Sequence, residues 1–358
     1  MPAQTNAPRY RILAGPGSPY SHKVRGVMRY RRIPHDWVIQ RGGFDGMVKS
    51  GELEAAGKRL LPVVQFPDGA YWNDSTPIIH ELEDRHEGRS VLPPSPAERF
   101  LARLIDDVAD EWLSVILMAF RWTSDEDVAF CARRQMHGWL GAVPEAELTA
   151  AISRFTARQQ GVRTLIGGGN EEAKHVYESH YAAFLDIMEA GLARQMFLFG
   201  DRPSIADFGL YGMLTQFVID PTPARIMRDR AVRTYQWTQY TDDLSGHDGD
   251  WAASRAPNET LTALVKLAGR SFVPMMTANA AAIAAGEKRV NFTVDNVQLN
   301  SFAMPYKQAC WLWLKKMHAD LPAADRESLQ PLLEDAGFLP ALSFAPGEAE
   351  RVPAFGMM

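Results

Sequence analysis

Cysteine is scarce: the 358 residues contain two, Cys131 and Cys310. That excludes a disulfide scaffold, and neither cysteine neighbours the His and carboxylate arrangement that activates a nucleophile. Both read as small buried apolar residues. Long hydrophobic runs are missing as well. No stretch of about 18 apolar residues occurs, which argues against a transmembrane helix. Charge of one sign is not in excess, since 38 Lys and Arg stand against 43 Asp and Glu. Nothing in that balance draws the chain to nucleic acid or to an anionic membrane. Met1 to Arg9 is polar and lacks an apolar signal core, so a cytoplasmic location is expected. Metal-ligand spacing is wanting too: His175 and His180 miss the i,i+4 spacing of a shared site. Gly167-Gly168-Gly169 has no Gly-Lys-Ser/Thr after it, so it reads as a loop and not as a phosphate cradle.

What is present is ordinary globular material. The chain is 46% hydrophobic and 23% charged, enough for a sizeable core in two or three domains. Arg9 to Ala14 alternates as a short strand and ends at the turn signal Gly15-Pro16-Gly17. Ser18 is a good N-cap and Pro19 fits the first helical position. Val24, Val27 and Met28 share one face of the helix after it, with Lys23, Arg25, Arg29, Arg31 and Arg32 largely elsewhere. Pro34 stops it. His35 to Gln40 is a second strand, which makes the opening a βαβ unit. Leu60 to Phe66 and Gly69 to Trp72 flank Pro67-Asp68-Gly69 as a hairpin. Ser75 then caps a helix running to His86.

Leu92-Pro93-Pro94-Ser95-Pro96 is a linker, and beyond it nearly everything has helical spacing. Helical stretches cover 100–115, 130–140, 145–164 and 171–195. Ser204-Ile205-Ala206-Asp207 is a capping box. Pro221 and Pro223 interrupt the chain after that helix. Ser245 to Asn258 is polar and turn-rich, a candidate second boundary. Helices follow over 259–285, 304–319 and 326–336, with a candidate hairpin at Arg289 to Gln298. The tail from Pro346 is expected to be poorly ordered.

Three separated motifs stand in a recognisable order. They are Ser18-Pro19-Tyr20-Ser21 after the first strand, Leu61-Pro62-Val63 opening the hairpin, and Asp74-Ser75 before Glu81-Leu82-Glu83-Asp84-Arg85. The linker and the Ser-x-x-Asp box follow. From about Arg9 to Leu244 the chain resembles the glutathione S-transferase family, in its serine-type bacterial form. The resemblance implies an α/β thioredoxin-like glutathione-binding domain over 1–92. It implies an all-α transferase C-terminal domain over 97–244. The mainly helical extension over 245–358, with its extra helices, lies outside it, and 123–169 is longer than usual.

The resemblance also implies a chemistry. Glutathione attacks electrophiles as a thiolate, and a free thiol is mostly protonated near neutral pH. A helix N-terminus at Ser18 offers unpaired N–H groups and a positive dipole end to the sulfur. A Ser18 O–H donated to the sulfur lowers its pKa further. The SPYS motif resembles the Cys-x-x-Cys of redox proteins with serine at both cysteine positions, which argues against thiol–disulfide exchange. Ser18 as activating hydroxyl stands beside Ser18 as helix cap alone, with Tyr20 and Ser21 as weaker alternatives. Tyr10 sits too early in its strand. By resemblance Pro62 is cis, which turns the Val63 amide toward the cysteinyl part of glutathione. Asp74 and Ser75 hold its γ-glutamyl end. Lys58 or Arg59 is a candidate for its glycyl carboxylate.

Trp112, Val115, Ala119, Phe120, Trp122 and Tyr211 are candidates for lining a cleft for a small hydrophobic electrophile. At helical spacing they also read as core. Asp106, Asp107, Asp110 and Glu111 read as a solvated helix face, and Trp311 to Lys316 as a buried helix edge. The expected function is a glutathione-dependent transferase, with glutathione as co-substrate, no metal and a homodimeric assembly. Isomerisation, ether cleavage and dehalogenation would use the same thiolate. The alternative is a non-catalytic binding or scaffold protein of the same fold.

Overall fold

The computed structural model describes residues 9–39, 51–57 and 60–355. The first layer is a four-stranded sheet in the order β2-β1-β3-β4. Its elements run β1 (Tyr10–Ala14), α1 (Pro19–Tyr30), β2 (His35–Ile39), α2 (Gly51–Ala55), β3 (Val63–Gln65), β4 (Tyr71–Asn73) and α3 (Ser75–Arg85). β1 and β2 are parallel, and β3 pairs antiparallel with both β1 and β4. This is the thioredoxin-like arrangement expected. The register sets which chain segments are neighbours. Leu13 faces Val63, and Val63 faces Asn73, so the end of β1, the start of β3 and the end of β4 lie side by side.

Helices follow: α4 (Pro96–Val108), a π-helical turn over Ala109–Leu113, α5 (Ser114–Arg121), α6 (Asp125–Leu140), α7 (Glu145–Ile166) and α8 (Lys174–Gly191). Then come α9 (Ile205–Phe217), α10 (Pro221–Arg230) and α11 (Val232–Thr241). The Ser204–Asp207 capping box forms in both directions at the start of α9. Pro221 and Pro223 do not interrupt the chain. Pro221 occupies the first turn of α10, where a missing N–H costs nothing.

The C-terminal part adds α12 (Glu259–Ala284), β5 (Arg289–Val294), β6 (Val297–Phe302), α13 (Pro305–Ala319), α14 (Ala323–Asp335) and α15 (Leu339–Leu342). β5 and β6 form the hairpin expected from the alternation, turning at Asp295-Asn296 with positive φ at both residues. Asn and Asp are the non-glycine residues that best tolerate that geometry. From Pro346 to Phe355 the tail is placed rather than loose. Trp313 donates to the Pro353 carbonyl, and the Phe355 ring meets His80 and Trp313 edge-on.

One apolar core runs through all of this. Ile12 and Val64 of the sheet, Phe100 of α4, Phe208 of α9, Phe272 of α12 and Trp311 of α13 belong to the same cluster. A second cluster, with Trp122, Cys131, Met136, Trp139 and Phe155, packs α6 on α7. Cys131 and Cys310 are both free and buried. Two glycines of α9 permit its close approach. A Cβ on Gly212 would lie 2.8 Å from the Pro19 carbonyl oxygen, and one on Gly209 would collide with Asp106 Oδ1. Among the described residues no helix is long and apolar enough to cross a membrane.

Candidate functional site

Because of the register, the loop after β1, the Leu61–Pro62 bond and the Asp74-Ser75 pair gather at one end of the sheet. α1 and α3 both begin there, so two helix N-termini converge. Ser18 is the N-cap of α1, extended at φ −96, and its Oγ accepts from the Ser21 amide at 3.3 Å. That contact uses a lone pair and leaves the Ser18 O–H free to donate. The Leu61–Pro62 bond is cis, as its position in the motif implies, and Val63 follows it directly into β3.

Asp74 and Ser75 differ from expectation in their helix roles. Asp74 holds the N-cap position, at φ 77, and makes no capping bond with its side chain. Ser75 is the first helical residue and is buried. The reason is spatial: β4 ends at Asn73 and the chain turns into α3 with no spacer. The Asp74 carboxylate accepts instead from the Tyr306 hydroxyl of α13, Oη to Oδ2 at 2.6 Å. Burial raises its pKa, and the Tyr306 hydrogen bond opposes that rise.

The two weaker hydroxyl candidates lie in the first turn of α1 with their hydroxyls engaged or buried. Tyr20 donates to the Asp110 carbonyl oxygen at 3.1 Å, and burial puts its own ionisation well above the usual range. Ser21 is fully buried. Lys58 and Arg59 lie outside the described residues. Tyr10 donates or accepts at His86, remote from the helix starts.

α6 covers the loop after β1. Gly15 and Gly17 leave room for it: a Cβ on Gly15 would sit 2.9 Å from Trp139 Nε1, and one on Gly17 2.7 Å from the Gln135 side chain. His22 braces the same loop, with Nε2 3.1 Å from the Pro16 carbonyl and Nδ1 3.0 Å from Arg25. Burial and the Arg25 charge bring the His22 pKa down to about 4. It is therefore neutral at pH 7 and donates from Nε2.

The acids of α4 do not form a solvated face. Asp106 and Asp107 are buried, as is Glu111 in the π-helical turn. Each meets a cation. Lys23, fully buried on α1, lies 2.7 Å from both Asp106 and Asp110 and donates to Thr76 at 2.9 Å. Arg103 pairs with Asp107 at 2.7 Å and Lys307 with Glu111 at 3.3 Å. Burial works against the Lys23 charge, and Asp106 and Asp110 reverse the effect, leaving its pKa raised. A helical wheel shows which residues share a face, not which distant element will cover it. Lys23 and Lys307 arrive from elements far away in sequence, so local patterning carried no sign of the cluster.

Trp112, Val115, Ala119, Phe120 and Tyr211 are buried in the main core and Trp122 in the second cluster. They are core residues, and Tyr211 points its hydroxyl at Asp242. Among the described residues no group of three or more His, Cys, Asp or Glu is arranged to hold a metal ion.

Residues 17–85 match the family model for the glutathione S-transferase N-terminal domain. Residues 149–255 match that for the glutathione S-transferase C-terminal domain. Both domains of the glutathione S-transferase superfamily are thus matched in this chain. No curated protein matches it. Among solved structures, this chain is similar to a glutathione S-transferase from Methylobacterium radiotolerans in complex with glutathione sulfonate. The identity is 17% over 70% of this chain and 99% of that one, with a TM-score of 0.41. A GST-like protein from Pseudomonas syringae is 16% identical over 74% of this chain and 75% of its own, with a TM-score of 0.46. A glutathione S-transferase from Methylobacillus flagellatus with glutathione bound is 18% identical over 65% and 99%, with a TM-score of 0.40.

Proposed function

We propose that this protein is a serine-type glutathione transferase that binds glutathione at the shared end of β1, β3 and β4 and stabilises its thiolate. One observation carries the reading. The sheet register brings the N-cap serine of α1, the cis Leu61–Pro62 bond and Asp74-Ser75 to a common edge. In this reading Val63 pairs with the cysteinyl backbone in strand fashion. Asp74 takes the γ-glutamyl ammonium, and Ser75 at the start of α3 takes its carboxylate. Tyr20 and Ser21 contribute through the first turn of α1, and Leu61 through its backbone beside Pro62.

The sulfur then lies at the N-terminus of α1. The helix dipole and the Ser18 O–H both favour its negative form. A shift of one pKa unit requires about 1.4 kcal/mol, within the reach of one charge-assisted hydrogen bond. The thiolate attacks a small hydrophobic electrophile. The proposal includes a cytoplasmic homodimer and the division of the chain at 92–97 and 244–245.

The test is calorimetric binding of glutathione followed by ultraviolet absorbance of the bound thiolate. Wild type is expected to show thiolate at neutral pH, and Ser18→Ala to lose most of it while still binding. A wild-type complex with no thiolate at neutral pH would return the protein to a binding or scaffold role.

A further inference from the structure

The five acidic side chains where α1, α3, α4 and α13 meet are not equally served. Asp106 and Asp110 share Lys23, Asp107 has Arg103, and Glu111 has Lys307. Among the described residues Asp74 has no ion pair. Its partner is a neutral hydroxyl, that of Tyr306. Within the chain Lys23, Arg103 and the Thr76 amide favour the charge of this partly buried carboxylate but burial outweighs them, so it stands to gain from a cation that arrives from outside the chain. Asp74 is also held at φ 77, a strained conformation for a residue with a Cβ, and such strain persists only where the surroundings impose it.

The surroundings here are polar clamps on α13. Asn279 of α12, almost fully buried, accepts from the Met304 amide at 2.8 Å and donates to the Met304 carbonyl at 3.1 Å. Lys307, also buried, donates to the Glu111 carbonyl at 3.1 Å. Tyr306 stands between these two anchored residues, so its hydroxyl reaches Asp74 with little freedom to leave.

We propose that Tyr306 is a positioning residue for recognition of a primary ammonium, aiming the Asp74 carboxylate at the amino group of the ligand and keeping it ionised. This rests on glutathione binding at the sheet edge and extends it to a residue outside both matched domains. The C-terminal extension thereby sets the selectivity of the γ-glutamyl end of the site for a free amine. A donor to the charged form of a carboxylate holds its pKa down, so the carboxylate is available to the ammonium over a wider pH range. The other charged or titratable groups that act on Asp74 or lie against this contact are Lys23 and Tyr20 of α1, Arg103 of α4, Glu111 of the π-helical turn and Cys310 of α13.

The experiment compares binding of glutathione with binding of its N-acetyl derivative, which has no ammonium. Wild type, Tyr306→Phe, Asp74→Asn and the double variant are measured across pH. Wild type is expected to prefer glutathione by at least about tenfold, the scale of one charge-assisted contact. Tyr306→Phe is expected to lose most of that preference, with N-acetylglutathione binding unchanged and the acid limit of glutathione binding moved to higher pH. Asp74→Asn abolishes the preference, and adding Tyr306→Phe to it changes nothing more. Tyr306→Met, an independent replacement, gives the same loss should the Phe variant not fold. Full retention of the preference in Tyr306→Phe or Tyr306→Met overturns the inference alone. So do losses that simply add in the double variant, since Tyr306 would then not act through Asp74. Failure of wild type to bind either peptide overturns the inference together with the glutathione reading.

Discussion

Two helices start at the same end of the sheet, and they are finished in opposite ways. At α1, Ser18 is extended and its oxygen accepts from the Ser21 amide three residues on. At α3, Asp74 is held at positive φ, leaves its own helix uncapped, and gives its carboxylate to Tyr306, far along the chain. The first start is satisfied locally. The second depends on a distant element to justify a conformation that its own sequence disfavours. The cap of α1 is complete within its own turn, whereas the start of α3 is held by a contact with α13. Beneath both starts lies Lys23, which ties α1 to Thr76 of α3 and to Asp106 and Asp110.

Removing that tie has the largest expected effect. Lys23→Met leaves two carboxylates without their cation in the interior, and breaking a buried pair from one side costs about 3–5 kcal/mol. Urea unfolding measures it. The cost should shrink at acidic pH, where the Asp110 carboxyl, whose pKa burial raises, can take a proton, and grow as pH rises. Equal stability of Lys23→Met and wild type at pH 8 would show that the two helix starts do not share this foundation.

The neighbouring pair gives a smaller, pH-dependent effect. Burial pushes the Asp107 carboxyl up to about 7, Arg103 pulls it down, and Asp106 adds to the rise. An unfolded Asp titrates near 4. Between these values the folded state keeps a proton that the unfolded chain has released, so stability falls as pH rises through this window. The contribution is complete below about pH 4 and lost above about pH 7. Across that window Asp107→Asn should flatten the stability profile by about 4 kcal/mol at most. An unchanged profile would assign the titration elsewhere.

The contrast between local and distant partners also divides what a sequence discloses from what it hides. Ser18, Pro62 and the Ser204–Asp207 box are legible because their chemistry is local: caps, turns and proline positions act within a few residues. The βαβ opening and the β5–β6 alternation are legible for the same reason. The acids of α4 are misread as solvated because their partners Lys23 and Lys307 lie on other elements. Lys23 itself is misread as an off-face basic residue. Tyr306 gives no signal at all, since its role exists only once α13 has folded over α3. α10 is hidden when Pro221 is read as a breaker, whereas in the fold it opens the helix.

The finest test separates strain from contact at Asp74. Asp74→Ala and Asp74→Gly both remove the carboxylate and the Tyr306 hydrogen bond, but only glycine is free of the Cβ penalty at φ 77. The glycine variant should be more stable than the alanine variant by about 1 kcal/mol, because relief of strain exceeds the extra entropy glycine loses on folding. At Ser18, extended at φ −96, replacement by alanine should cost about 1 kcal/mol through the lost cap alone. Paired denaturant curves for the Asp74 variants decide the matter. Alanine as stable as glycine at position 74 would mean that the backbone there carries no strain, and the two helix starts would then differ only in what their side chains touch.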